Sequence, residues 1–183
     1  MTDRIPPFVR VGHLDRPATL SKFKRDCEGL STGDWSISDP AANLKLLAMP
    51  AMRALVNAGV PRPVLSLTNR TASMVAVFYA KFWTIDASRA LFVAPQEAAW
   101  MRRVAAEFYH EARHAEQFFL VARFLAGKAA ALTADEVAIQ AGILAAVDEI
   151  ASQSPLQPTV AERDAMGANR MSDNDNPRAR LTA

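Results

Sequence analysis

Apolar residues recur at helical spacing along most of the chain, and proline and glycine mark where the periodic segments begin and end. This pattern predicts a short helix over 17–29 and a second over 39–59. A long helix is predicted over 95–127, which begins with proline, ends with glycine and has neither residue between them. Thr133 and Glu136 form a T-x-x-E capping box, which predicts the start of another helix.

The segment 64–93 has a different character, because Val, Ile, Thr and aromatic residues dominate it. Such residues favour strands, which we expect at 64–67, 74–79, 82–86 and 90–93. The short connections favour antiparallel hairpins, since parallel strands need longer crossovers. A helix through 74–86 stays an alternative, because short apolar runs fit either structure. The sequence therefore predicts an α+β fold, mainly helical, in which the long central helix packs against other helices and a small antiparallel sheet.

Length and composition indicate one domain. The chain has 183 residues, of which 50% are hydrophobic and 22% charged. We expect an extended N-terminal arm over 1–16 and a single hydrolase-like domain over 17–152. Residues 153–183 are rich in polar residues and proline, and we expect this tail to be partly mobile.

Several classes of protein are disfavoured by composition. There is no run of about 18 apolar residues, so we expect no membrane span. Residues 1–10 lack the apolar core of a secretory signal, so we expect synthesis in the cytoplasm. The net charge is only +2 and basic residues rarely cluster, so we expect no nucleic-acid partner. The single cysteine, Cys27, excludes an intramolecular disulfide and an all-cysteine zinc site.

The long helix carries the motif with the clearest chemistry, His110-Glu111-Ala-Arg-His114. Two of the three histidines in the chain lie four positions apart, so both imidazoles can reach one metal ion, most simply zinc. Glu111 can then accept the proton of a metal-bound water as that water attacks a carbonyl. Glu107, one turn earlier, extends the ionisable face and is a second candidate catalytic group.

Two histidines leave a tetrahedral zinc site incomplete. An HExxHxxGxxH arrangement is excluded because Gln117 and Leu120 stand where that pattern needs Gly and His. A carboxylate on the following helix is the alternative, and Glu136 is our first choice although the capping box also explains it. The remaining candidates are Asp148, Glu149 and His13.

Other hypotheses also fit the motif. A di-iron site needs its two Glu-x-x-His motifs on different helices, whereas here they overlap on one. Without metal, Glu111 paired with Glu107 or Asp86 could cleave glycans of the cell wall, while Arg113 and Glu116 orient the substrate. A third possibility is a non-catalytic interaction module whose charged helix face binds a partner.

The phrase Tyr-His-Glu-Ala-Arg-His-Ala-Glu-Gln at 109–117 resembles toxin domains at the C-termini of bacterial polymorphic toxins. These include Rhs proteins and related cargo of contractile injection systems. The aromatic segment 78–92, and the Ala-Arg and Ala-Gly pairs at 122–123 and 126–127, are similar as well, so that the likeness covers roughly 70–160.

This resemblance implies a metallopeptidase-like toxin with His110 and His114 as zinc ligands and Glu111 as the base. It further implies a cognate immunity protein, a secretion-system carrier protein, and delivery into a target cell without a signal peptide. Arg113, Glu116 and Gln117 exceed what a zinc protease needs, which indicates a more particular chemistry. Arg113 is therefore our third candidate catalytic residue.

Overall fold

The helices and strands follow the predicted order along the chain. The computed structural model describes residues 12–36, 38–69, 75–94, 97–128 and 132–156. The helices are α1 (Pro17–Glu28), α2 (Pro40–Asn57), α3 (Ala98–Lys128), α4 (Ala134–Ala141) and α5 (Ala145–Ser152). The strands are β1 (Val64–Thr68), β2 (Ala76–Tyr79) and β3 (Thr84–Ser88). The α+β, mainly helical prediction is confirmed.

Side-chain caps mark where two of the helices, α2 and α4, begin. The Asp39 side chain accepts hydrogen bonds from two backbone N–H groups in the first turn of α2. The capping box of Thr133 and Glu136 is present at the start of α4. The single helix predicted after Thr133 is, however, two helices. The chain turns after α4 because Ile143 is buried and the N–H of Leu144 donates to the carbonyl of Ala80, 3.1 Å away.

The sheet is mixed, with strand order β1-β3-β2. β2 and β3 form the expected antiparallel hairpin, but β1 and β3 are parallel, so the prediction of an antiparallel sheet was wrong for that pair. The strand β2 and its connections provide the crossover that parallel strands need. The prediction of a fourth strand at 90–93 was also wrong. Arg89–Phe92 is a 3₁₀ helix that buries Phe92, whose carbonyl accepts from the Asn43 amide at 3.0 Å.

The sheet turns one face to the helices and the other away from them. Ile85 and Ala87 of β3 are buried, and Phe78 of β2 lies opposite Ile85. Because side chains alternate along a strand, Asp86 points to the other face with its neighbours Ser66 and Val77. Asp86 is therefore separated by the sheet from everything that packs on its helical side.

Helix α3 lies at the centre of the core, between α2, α5 and β2. Its apolar positions are buried as its sequence predicts, and the many alanines among them allow neighbouring elements to approach closely. They include Met101, Val104, Ala105, Phe108, Ala112, Ala115, Phe119 and Ala122. No helix within the described ranges is both long and apolar enough to span a bilayer.

The turn between β2 and β3 is held by a buried tryptophan in an unusual conformation. Trp83 has φ of 51°, a left-handed value that costs a bulky residue roughly 1 kcal/mol or more. Its indole N–H donates to the Pro61 carbonyl at 2.8 Å, and its ring meets Phe78 edge to face at 5.1 Å. These contacts fix β2 in position beside α3.

Both ends of the described chain pack on α3. Residues 12–16, the end of the predicted arm, turn back on themselves and bury Leu14. At the other end, the N–H of Leu156 donates to the Arg123 carbonyl at 2.9 Å, and the Arg123 guanidinium donates to the Ser154 carbonyl. Residues 1–11 of the arm and 157–183 of the tail lie outside the described residues, as do position 74 of the second predicted strand and positions 95–96 of the long helix.

Candidate metal centre

The two motif histidines meet on one side of α3. Their Nε2 atoms are 3.0 Å apart and their rings are nearly perpendicular, with centroids 4.6 Å apart. His110 is exposed and His114 is half-buried, so the pair lies at the protein surface. This confirms that the four-residue spacing brings both imidazoles to one point.

Glu111 lies beside the histidines but is buried. Its Oε2 atom accepts a hydrogen bond of 2.7 Å from the backbone N–H of Phe78 on β2. Burial raises the pKa of Glu111 to about 7, against the opposing effect of this hydrogen bond and with a further increase from the charge of Glu107. Within the parts of the chain that the structure describes, His110, Glu111 and His114 form the group that could hold a metal ion, with one ligand atom from each within 4.8 Å of the others.

Gln117 contacts the site from the next turn of the helix. Its Oε1 atom lies 3.2 Å from Nδ1 of His114. The sequence motif includes Gln117 and connects it with a more particular chemistry, but predicts no specific contact for it. The signal was its spacing, because a residue three positions after a histidine lies on the same side of a helix.

The histidine pair fits a tetrahedral ion such as zinc. Two nitrogens at 2.0–2.1 Å from such an ion are separated by about 3.3 Å, so the observed 3.0 Å needs only a small opening of the pair. Imidazole nitrogen and carboxylate oxygen are both common zinc ligands. His110, Glu111 and His114 can thus hold a metal ion.

Glu136, our first choice for the third ligand, lies elsewhere. Its carboxylate accepts from Lys128 at 2.5 Å and from the N–H of Thr133 at 2.8 Å. Lys128 is 14 residues beyond His114 on α3, which is about 21 Å along the helix axis. The structure therefore assigns Glu136 to the capping box and an ion pair, and does not bring it to the histidines.

The other three ligand candidates are also placed away from the pair. Asp148 accepts a hydrogen bond from Gln140 at 2.8 Å, and Glu149 is exposed on α5. His13 is held by its backbone N–H against Glu116, and its side chain lines a small cavity between α1 and α2. The structure brings none of the three into the group formed by His110, Glu111 and His114.

Side chains on the opposite side of α3 make a separate set of contacts with residues 13–15. Arg113 pairs with Asp15 at 2.5 Å, and the buried Glu116 accepts from the N–H groups of His13 and Leu14. The hydroxyl of Tyr109 donates to the Leu14 carbonyl at 2.6 Å.

We call Tyr109, Arg113 and Glu116 the clamp, because together they fix residues 12–15 on α3. Gly12 leaves room there for the Glu116 carboxylate, since a Cβ at this position would lie 2.6 Å from Oε2 of Glu116. Arg113 lies two residues, or about 200° of helix rotation, from Glu111. Arg113 thus pairs with Asp15 on the side of α3 away from Glu111, and its catalytic role stays a prediction.

The two other carboxylates considered for catalysis have different positions. Glu107 is exposed one turn before Glu111 and close enough to influence its pKa. Asp86 lies on the face of the sheet that points away from α3. Of the two proposed carboxylate pairs, the structure therefore brings Glu107 toward Glu111 but keeps Asp86 apart.

Comparison of the chain with protein-family models, with curated proteins and with solved structures found no match. The candidate site consequently rests on its own geometry. That geometry consists of two imidazoles on one side of α3, a buried carboxylate anchored to β2, and an amide that contacts one imidazole.

Proposed function

We propose that this protein is a metal-dependent hydrolase in which His110 and His114 hold a zinc ion and Glu111 is the general base. One observation carries the proposal. The ligand atoms of His110, Glu111 and His114 lie within 4.8 Å of one another on one side of α3. Two imidazoles with a carboxylate beside them are the groups that metal-assisted hydrolysis requires.

Zinc and the side chains of the site would have distinct roles in the hydrolysis. Zinc would act as a Lewis acid for the water and the substrate carbonyl. Glu111 would accept a proton on Oε1 as the water oxygen bonds to the carbonyl carbon, while the Phe78 N–H holds Oε2 in place. When the carbon–nitrogen bond breaks, Glu111 would return that proton to the leaving nitrogen. His110 and His114 would serve as ligands throughout.

The neighbouring strand supports a polypeptide as the substrate. β2 is an edge of the sheet, and the Phe78 N–H points away from β3 toward Glu111. In an antiparallel pair the N–H and C=O of one residue point the same way, so the Phe78 carbonyl also faces the outer edge. An extended peptide could pair with this edge through the Phe78 carbonyl, while the Phe78 N–H stays bonded to Glu111.

The biological setting that we propose is that of an antibacterial or anti-host toxin. The support is the resemblance of residues 109–117 to polymorphic toxin domains. In this setting a secretion-system carrier would deliver the domain into a target cell, and a cognate immunity protein would protect the producer. Induced expression in a susceptible bacterium tests it, since Glu111→Gln should abolish toxicity and Arg102→Gln, far from the site, should not.

Metal and activity measurements test the hydrolase itself. The purified protein, stripped with a chelator and reloaded with zinc, should bind about one equivalent and hydrolyse members of a peptide library followed by mass spectrometry. His110→Ala should lose both properties. Glu111→Gln should lose hydrolysis and keep zinc. Hydrolysis that survives complete removal of metal would contradict the proposal.

One observation favours a second candidate, a metal-free glycosidase. Glu111 is a buried carboxyl group with raised pKa, and Glu107 lies one turn away as a possible charged partner. A glycosidase would cleave cell-wall glycan without metal and would lose activity in Glu107→Gln as well as in Glu111→Gln. The metal-dependent hydrolase should tolerate Glu107→Gln.

A further inference from the structure

Gln117 contacts the imidazole nitrogen of His114 that is turned away from His110. Oε1 of Gln117 lies 3.2 Å from Nδ1 of His114, and Nε2 of the same ring lies 3.0 Å from Nε2 of His110. The two ring nitrogens of His114 therefore have different neighbours. Because a neutral imidazole carries one proton, these neighbours decide which nitrogen is protonated.

An amide oxygen can only accept a hydrogen bond. A contact between Oε1 and Nδ1 consequently requires the proton of His114 on Nδ1. Its Nε2 then presents a lone pair toward His110. In the metal-free protein, the 3.0 Å contact between the rings must be donated by Nε2–H of His110.

We propose that Gln117 is a positioning residue that sets the tautomer of His114 and thereby prepares one ligand of the zinc site. This inference rests on the proposed function, because it deepens the assignment of His110 and His114 as ligands. Gln117 orients His114 so that Nε2 faces the place where the ion binds. The hydrogen bond between the rings holds His110 at nearly the ligand spacing before the ion arrives, and His110 would move its proton to Nδ1 when its Nε2 binds the ion.

Gln117 fits this role better than a purely structural one. It is half-buried on α3, one turn from His114, and its contact to Nδ1 ties it to the candidate site rather than to the clamp. Metal-bound histidines commonly donate their second N–H to an oxygen acceptor, and removal of such an acceptor weakens metal binding by 10- to 100-fold.

The first test reads the tautomers directly. Nitrogen-15 NMR of the histidine side chains in the metal-free protein at about pH 8 should show Nδ1–H for His114 and Nε2–H for His110. Gln117→Met has a similar shape without the acceptor and should give a mixture of tautomers for His114. The inference is overturned if His114 carries its proton on Nε2 in the unaltered protein, or if Gln117→Met leaves the tautomers unchanged.

The second test measures zinc affinity in competition with a coloured chelator. Gln117→Met should weaken zinc binding by about 10- to 100-fold, and Gln117→Glu, which keeps an oxygen acceptor, should restore it. Arg102→Met is the matched control, because Arg102 is exposed on α3 and lies 12 residues before His114. Equal zinc affinity in Gln117→Met and the unaltered protein would overturn the inference while leaving the proposed hydrolase intact. Absence of zinc binding in the unaltered protein would overturn the proposed hydrolase, and the tautomer measurement would still decide the role of Gln117.

Discussion

The backbone N–H of Phe78 donates a 2.7 Å hydrogen bond to Oε2 of Glu111 and so ties the candidate base to the edge strand of the sheet. Phe78 is itself held by the edge-to-face contact with Trp83, whose left-handed backbone closes the β2–β3 turn. The position of the Glu111 carboxylate therefore depends on the hairpin as well as on α3. A carboxylate held in this way is oriented before any substrate arrives, which is what general base catalysis needs.

Replacing Glu111 with glutamine should lower the hydrolysis rate without lowering the stability of the fold. Glu111→Gln should lower hydrolysis by about 10²- to 10⁴-fold, because an amide cannot accept the proton of water. The amide can still accept from Phe78 and carries no charge to bury, so the free energy of unfolding should stay equal or rise by about 1 kcal/mol. Urea denaturation and hydrolysis rates measure the two effects.

Two further variants serve as controls for Glu111. Glu111→Leu should destabilise the fold by about 1–3 kcal/mol, since it leaves the Phe78 N–H without an acceptor. Glu107→Gln should change hydrolysis by less than about 3-fold, because Glu107 is exposed and lies outside the metal-binding group. Equal losses of hydrolysis in Glu107→Gln and Glu111→Gln would favour the paired-carboxylate mechanism instead.

The clamp should matter for folding and not for metal binding. Glu116→Met should cost about 2 kcal/mol or more in the free energy of unfolding, because the N–H groups of His13 and Leu14 lose their buried acceptor. Tyr109→Phe should cost about 1 kcal/mol through the lost bond to the Leu14 carbonyl. Zinc affinity should be unchanged in both. A large loss of zinc binding in folded Glu116→Met would show that the two sides of α3 are not independent.

Gly127 permits a close approach between α3 and the end of the described chain. A Cβ at this position would lie 2.1 Å from the backbone oxygen of Leu156. Gly127→Ala should therefore displace residues 154–156 and destabilise the protein by about 1–2 kcal/mol, even after the helix propensity of alanine is counted. Gly29→Ala is the control, since its nearest neighbour is 3.6 Å away. Chemical denaturation of both variants measures the difference, and equal stabilities would contradict this packing.

The buried thiol of Cys27 should react slowly with thiol reagents in the folded protein. Burial raises its pKa from 9.0 to about 11, with a smaller increase from Asp26. At about pH 8 the folded protein should react with a thiol reagent roughly 100-fold more slowly than the unfolded chain. Because the pKa of Cys27 is higher in the folded state, burial of the neutral thiol contributes fully to the free energy of unfolding below pH 9. This contribution is lost as the pH rises toward 11. Rapid labelling of the folded protein at neutral pH would contradict the buried position.

The helices and the meeting of the two motif histidines could be predicted because their signals are local. Proline and glycine mark the ends of α1 and α2, the capping box marks α4, and the four-residue spacing of His110 and His114 defines one side of a helix. The parallel pairing of β1 with β3 could not be predicted, because it depends on which edge β2 occupies.

The contacts that surround the site depend on residues far apart in sequence. Glu111 meets Phe78, Arg113 meets Asp15, and Glu116 meets Leu14, and no local pattern encodes these pairings. The same dependence on contacts outside the local sequence explains why Glu136 was chosen as the third metal ligand. Glu136 looked available in the sequence, but its capping box and Lys128 already use both of its oxygens.

Zinc titration of the metal-free protein tests the central claim most directly. Calorimetry should show one zinc ion bound per chain, and His114→Ala should abolish this binding while circular dichroism shows the same helical content. Arg102→Ala, on the same helix and away from the histidines, should bind zinc like the unaltered protein. If the folded, unaltered protein binds no zinc, or if His114→Ala binds it equally well, His110, Glu111 and His114 do not form a metal centre.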